Sequence, residues 1–410
     1  MLGAIINKHT LNSMIPILDD GRNFTPLIFY TEFLPKLAEY YKNNKSEDIK
    51  FLLFQKGDTE IFSAIYRIDP ISTPLLLSII EQLSKFHKKS LELYLNNNHA
   101  TIKVLGFLFR AGFFKISREN KILYYNENYL GAFQGNEIRK EHIIKSYKKK
   151  DFSNIDFDFE NEIQLRDHVN SIISYNVQTH FGELLYDNNN TTNNHNEYIN
   201  ILSELITNGV IHSQSTTYAM MFVDKYQTKF SISDNGIGFK NSLNSKQNLP
   251  FYYKKNEFES NTNLQFPTSI NKYFIENLLE IFEILFYSSL KERKGLFDLM
   301  LNVVLHSNGY FRLHTNNCQI IISNRIFKYI TSLNELRDEI LESHKLFELE
   351  KISLNDYQQA IIDKKNLISK QFEKIINATI KYYSEETKFS SIRFYNVRFK
   401  GVHIEVEIPN

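Results

Sequence analysis

Three short stretches in the second half of the chain hold residues whose types and spacing suit binding of a ligand. Glu204 and Asn208 lie four apart in Glu204-Leu205-Ile206-Thr207-Asn208. On a helix they project from one face, one turn above the other, although alone such a pair is an ordinary surface arrangement. Asp234-Asn235-Gly236-Ile237-Gly238-Phe239 follows an alternating run, Phe230 to Ser233. An Asp at a strand end can accept a hydrogen bond from an exocyclic amine, and Gly236 and Gly238 permit positive backbone dihedrals and close approach of a ligand. The Asn-Gly pair alone would signal a hairpin. Arg293-Lys294-Gly295-Leu296-Phe297-Asp298 opens a third periodic segment, and a glycine at a helix N-terminus leaves backbone N–H groups and the helix dipole facing an anion.

Definite elements must position these groups. Glu197 to His212 reads as a helix with Leu202, Leu205, Ile206 and Val210 on its buried side. Phe230 to Ser233 is a strand, Leu296 to Leu305 a helix, and Tyr310 to Thr315 a further strand after His306-Ser307-Asn308-Gly309. Phe159 to Val177 reads as helix, and Asn188 to Asn196 is a polar loop. Ser332 to Tyr383 predicts two helices joined near Ser353, where Ser-Leu-Asn-Asp caps the second. Ser391 to Pro409 alternates as strands do.

In this order the segments resemble the GHKL ATPases, the superfamily that includes DNA gyrase and sensor histidine kinases. Glu204 to Ser213 looks like its N box, Asp234 to Phe239 like its first glycine box, and Arg293 to Thr315 like its second; Phe399 to Pro409 is similar to its last strand. The resemblance implies a Bergerat-type α/β sandwich over 159–410, binding ATP and Mg²⁺. Asn208 matches the residue that coordinates Mg²⁺, which suits a hard cation that keeps several waters. Asp234 matches the adenine reader, Gly236 and Gly238 the hinge glycines beside the nucleotide, and Gly295, Leu296 and Phe297 the turn beneath the phosphates. Glu204 matches the general base of gyrase-like and anti-sigma-kinase-like members. Thr315 is placed as a polar nucleotide contact, with a plain strand threonine as the alternative.

The chain departs from the family pattern in places. Lys294 to Asp298 contains one glycine where the family has two or more. The segment 240–292, expected as a lid, is long and aromatic, with Phe251, Tyr252 and Tyr253, and 332–385 reads as a helical insertion.

In the first half, Ile49 to Phe54, Glu60 to Ile68 and Leu91 to Leu95 read as strands or amphipathic runs around helices at Pro74 to Phe86 and His99 to Ala111, the last ending near Gly112. Strands alternating with helices predict a small α/β domain over 1–140. Its outline is similar to STAS domains, which implies a phosphate acceptor at Ser72 or Thr73; the preferred reading of Ser-Thr-Pro is helix capping alone. Lys145 to Lys150 is read as solvated, within a linker over 141–158.

Composition bounds the rest. Hydrophobic residues at 42%, with 33 Phe and 24 Tyr, exclude wholesale disorder. A net charge of +1 gives no broad footprint for nucleic acid. The single cysteine, Cys318, excludes an internal disulfide and a cysteine zinc cluster, and no His-x-x-x-His pair points to a transition metal. His180 lies too close to the N box to serve on a separate phospho-acceptor helix. With neither signal-peptide order at the N-terminus nor a long apolar run, a cytoplasmic protein without a membrane span is expected. The favoured expectation is a Mg²⁺-dependent ATP switch with slow hydrolysis and a protein partner or homodimer. The alternatives are a serine/threonine kinase of the anti-sigma type and a non-catalytic binding module.

Overall fold

The computed structural model describes residues 14–17, 23–43, 49–52, 67–95, 101–134, 142–152, 162–186, 195–213, 215–246, 249–262, 264–381, 383 and 390–409. The chain is mixed α/β and divides into two units, Met1–Ser146 with Tyr218–Val223, and Tyr147–Thr217 with Asp224–Asn410. Among the described residues no helix is long and apolar enough to cross a membrane.

In the first unit, β1 (Met14–Pro16), β2 (Lys50–Leu52), β3 (Leu91–Tyr94) and β4 (Leu123–Tyr124) form a parallel sheet in chain order. Parallel neighbours need crossovers, and helices supply them. Thr73–His87 (α1) leads into β3, and Ile102–Ala111 (α2) with Phe113–Glu119 (α3) lies between β3 and β4. Helix α2 ends at Gly112, whose φ of 89° suits a left-handed cap. Of the expected run Glu60 to Ile68, only Arg67 and Ile68 fall within the described residues, as a short strand beside Asn23–Phe24.

Two expectations in this unit are corrected. Ser72 is the N-cap residue of α1, but its side chain makes no capping bond, and neither Ser72 nor Thr73 faces water. Both are fully buried, with Ser72 Oγ donating to the Phe24 carbonyl at 3.3 Å and Thr73 Oγ1 to the Pro70 carbonyl at 2.7 Å. The capping acceptor is Asp69, which receives the Ile71 N–H at the preceding 3₁₀ turn. The linker expected over 141–158 begins as strand β5 (His142–Tyr147), with His142 and Ile144 buried in alternation, and 149–152 forms a short turn. Period-two burial there outweighs the lysines, whose stems can lie along a strand while their charges reach solvent.

The second unit rests on three antiparallel strands in the order β8–β9–β7: β7 is Gln227–Asp234, β8 is Tyr310–Ile322 and β9 is Ile392–Pro409. Strand β6 (Thr217–Val223) lies largely in the first unit. Helices α4 (Glu162–Val177), α5 (His195–Ser213), α6 (Gly238–Ser245), α7 (Glu257–Asn261), α8 (Lys272–Ser289) and α9 (Leu296–Leu301) carry the site. The helix expected over Glu197 to His212 is present, with Leu202, Leu205, Ile206 and Val210 all buried, each contributing about 2 kcal/mol relative to exposure. Of the polar loop expected over Asn188 to Asn196, residues 188–194 lie outside the described residues and the last two open α5.

The segment expected as a lid contains a core helix. Helix α8 buries Leu278, Ile281, Phe282, Leu285 and Phe286, and Asn277 hydrogen-bonds Asn317 of β8 at 2.8 Å. Its apolar residues recur at helical spacing, so one face of it packs into the core. The aromatic run is docked too, with Phe251 against Tyr357 and Tyr252 against His344. The helical insertion is present as α10 (Phe327–Glu348) and α11 (Leu354–Lys381). Ser353 Oγ accepts the Asp356 N–H at 3.2 Å, the cap that the sequence predicts.

Candidate functional site

One open cleft within the second unit, of about 130 Å³, is lined by Glu204, Asn208, Asp234, Gly236, Gly238, Gly295 and Leu296. Its floor follows from strand alternation: Ile232 of β7 pairs with Ile404 of β9, and both face the cleft. Of the expected site residues only Phe297 and Thr315 are not brought to it. Phe297 is fully buried, its ring 5.9 Å from that of Phe372, so it packs α9 against α11. Thr315 is also buried and donates to the Gly401 carbonyl at 3.3 Å.

Asp234 ends β7 with its carboxylate held by two backbone N–H groups, Gly236 at 2.7 Å and Val402. Burial pushes its pKa up to about 6 despite those bonds, because desolvation penalises the charged form. Gly238 has φ of 77° where it opens α6, so a glycine is needed there. Gly236, expected to share that conformation, is not among the glycines with positive φ.

Gly295 precedes the helix α9, but the expected anion site at this end is altered. The Gly295 N–H donates to Asp298 at 2.9 Å and the Phe297 N–H to Ser288 Oγ at 3.1 Å, so side chains of the chain itself take these donors. Asp298 is in turn gripped by Arg337 of α10, at 3.0 and 3.2 Å. Arg337, 1% exposed, also donates to the carbonyls of Ser289, Lys291 and Arg293. Through Arg337, helix α10 therefore fixes the turn around Gly295.

Positive charge in the cleft comes from side chains. Lys246, Lys291 and Lys294 line it. Burial lowers the Lys291 pKa to about 7, with the positive charges of Arg166, Lys246 and Arg337 adding to the effect. Arg166 of α4 donates to the carboxylate of Glu204 and, at 3.1 Å, to Oδ1 of Asn208. Its neighbour Asp167 pairs with Arg293 at 2.5 Å. Sequence reading missed Arg166, Lys246, Lys291, Arg337 and Gly401. The run Lys291-Glu292-Arg293-Lys294 before Gly295 was a legible signal of charge at the turn; the others had none.

Glu204 and Asn208 are oxygen donors brought to a single cation, the guanidinium of Arg166. Such a carboxylate and amide suit Mg²⁺, which takes one or two protein oxygens and otherwise water and phosphate. Among the described residues no group of three or more His, Cys, Asp or Glu could hold a metal. Cys318 is buried within β8, with its thiol pKa raised by burial. No protein-family model, curated protein or solved structure matches the chain.

Proposed function

We propose that the second unit is a GHKL-type, Bergerat-fold domain that binds a Mg²⁺–adenine nucleotide and hydrolyses ATP slowly. The observation that carries this reading is the convergence on one cleft of Glu204 and Asn208, Asp234 to Gly238, and Gly295 with Leu296, from three separate stretches of chain. Asp234 accepts the exocyclic amine, and Ile232, Val402 and Ile404 give the ring an apolar surface. Lys246, Lys291 and Lys294 supply the phosphate charge balance that fewer glycines leave open. Asn208 would hold Mg²⁺, which when bound would supply charge neutralisation at the phosphates. Glu204 takes the proton of a water whose oxygen attacks the γ-phosphorus; the bond from that phosphorus to the bridging oxygen breaks, and its electron pair leaves with ADP. The parallel sheet of the first unit supports the STAS-like reading of 1–140, and a protein partner or second copy would receive the nucleotide state.

The test is calorimetry with ADP and ATP in Mg²⁺, followed by turnover and mass spectrometry in one tube. Binding that weakens in Asn208→Ala, and phosphate release abolished in Glu204→Ala, are expected. No nucleotide binding by the wild type would leave a non-catalytic module. Phosphate found on protein would replace hydrolysis with kinase chemistry; Ser72 and Thr73, both buried, are poor acceptors.

A further inference from the structure

Arg166 and Asp167, neighbours on α4, hold two different segments that contribute to the cleft. Arg166 takes Glu204 and Asn208 on α5, while Asp167 takes Arg293 beside the Gly295 turn. Successive side chains of a helix diverge by about 100°, so one turn of α4 holds both α5 and the segment before Gly295. A guanidinium is a planar fork of donors, suited to bridging two oxygens from different residues. Here it occupies the place where a divalent cation would meet Asn208, next to the proposed base. Mg²⁺ and a guanidinium cannot crowd the same oxygens without strong like-charge repulsion.

Resting on the nucleotide-site reading above, we infer that Arg166 is a positioning residue that stands in for the cation, is displaced by Mg²⁺, and then balances the terminal phosphate of a nucleoside triphosphate. In the ligand-free protein it holds Glu204 and Asn208 in register on α5 and neutralises the carboxylate. Arrival of Mg²⁺ at Asn208 removes one of its acceptors and leaves it beside the phosphate end of the cleft. There a triphosphate offers a new acceptor that a diphosphate lacks. Arg166 therefore sets both the Mg²⁺ requirement and the preference for triphosphate.

Calorimetry of the full chain with ADP and ATP over a Mg²⁺ series tests this. In Arg166→Gln the Mg²⁺ concentration for half-maximal ADP binding is expected to fall about tenfold, and the ratio of ATP to ADP affinity to fall about tenfold, each the worth of one charged hydrogen bond. Arg166→Lys, which keeps the charge but loses the fork, is expected to lower the Mg²⁺ midpoint while keeping triphosphate preference, and it carries the test should the Gln variant not fold. A wild type that binds both nucleotides, with variants unchanged in both quantities, overturns the role of Arg166 alone. A wild type that binds neither overturns this inference and the nucleotide site together.

Discussion

Gly401 and Asp234 are packed so closely that no side chain fits between them: a Cβ on Gly401 would stand 2.0 Å from the Asp234 carbonyl oxygen, and Gly401 has φ of 109°. The approach of β9 to the end of β7 brings the Val402 N–H to the Asp234 carboxylate. The orientation of the proposed amine acceptor thus depends on a residue with no side chain, remote in sequence.

Gly401→Ala is expected to destabilise the protein by at least about 1–2 kcal/mol, from the left-handed φ and the backbone collision together. Nucleotide affinity should fall with it. Urea denaturation and calorimetry check this, and an unchanged midpoint would refute the role given to the glycine.

Asp234 titrates near 6, above its ordinary 3.8, so the folded state favours its protonated form. Its contribution to stability is fully present below about pH 4 and lost as pH rises through 6. Asp234→Asn should therefore unfold later than the wild type at pH 7.5, by up to roughly 3 kcal/mol, with the gap narrowing at pH 5, while adenine-nucleotide binding is lost. Denaturation at the two pH values tests the sign.

Lys291 titrates near 7 rather than 10.5, so above pH 7 much of it is neutral in the ligand-free protein. A bound polyphosphate favours the ammonium, and binding should take up a proton between about pH 7 and 10, with affinity falling as pH rises. Calorimetry in buffers of different ionisation enthalpy measures that proton. Lys291→Met should abolish the uptake; the same uptake in the variant would point to another group.

Arg337 is buried and saturated by Asp298 and three carbonyls. Arg337→Met strands a buried carboxylate and is expected to cost about 3–5 kcal/mol. Adding Asp298→Asn should recover part of that loss, which urea denaturation of the single and double variants would measure. Additive losses would show that the ion pair is not what holds the turn.

The amino-acid sequence by itself determined the local architecture of the site. Helix α5 follows from its apolar stripe, the start of α11 from Ser353 and Asp356, and the turn after β7 from Asp234 to Gly238, because caps, periodicity and glycine spacing act within a few residues. Their order was enough to bring Glu204, Asn208, Asp234 and Gly295 under one hypothesis. Only the tertiary structure decided what completes the cleft. Arg166 meets Glu204 across 38 residues and Arg337 meets Asp298 across 39, and the lid-like segment became a core helix. An isolated arginine on a helix face has the same local pattern whether it is solvated or bridges two distant oxygens. The difference lies in burial and in partners that only packing supplies.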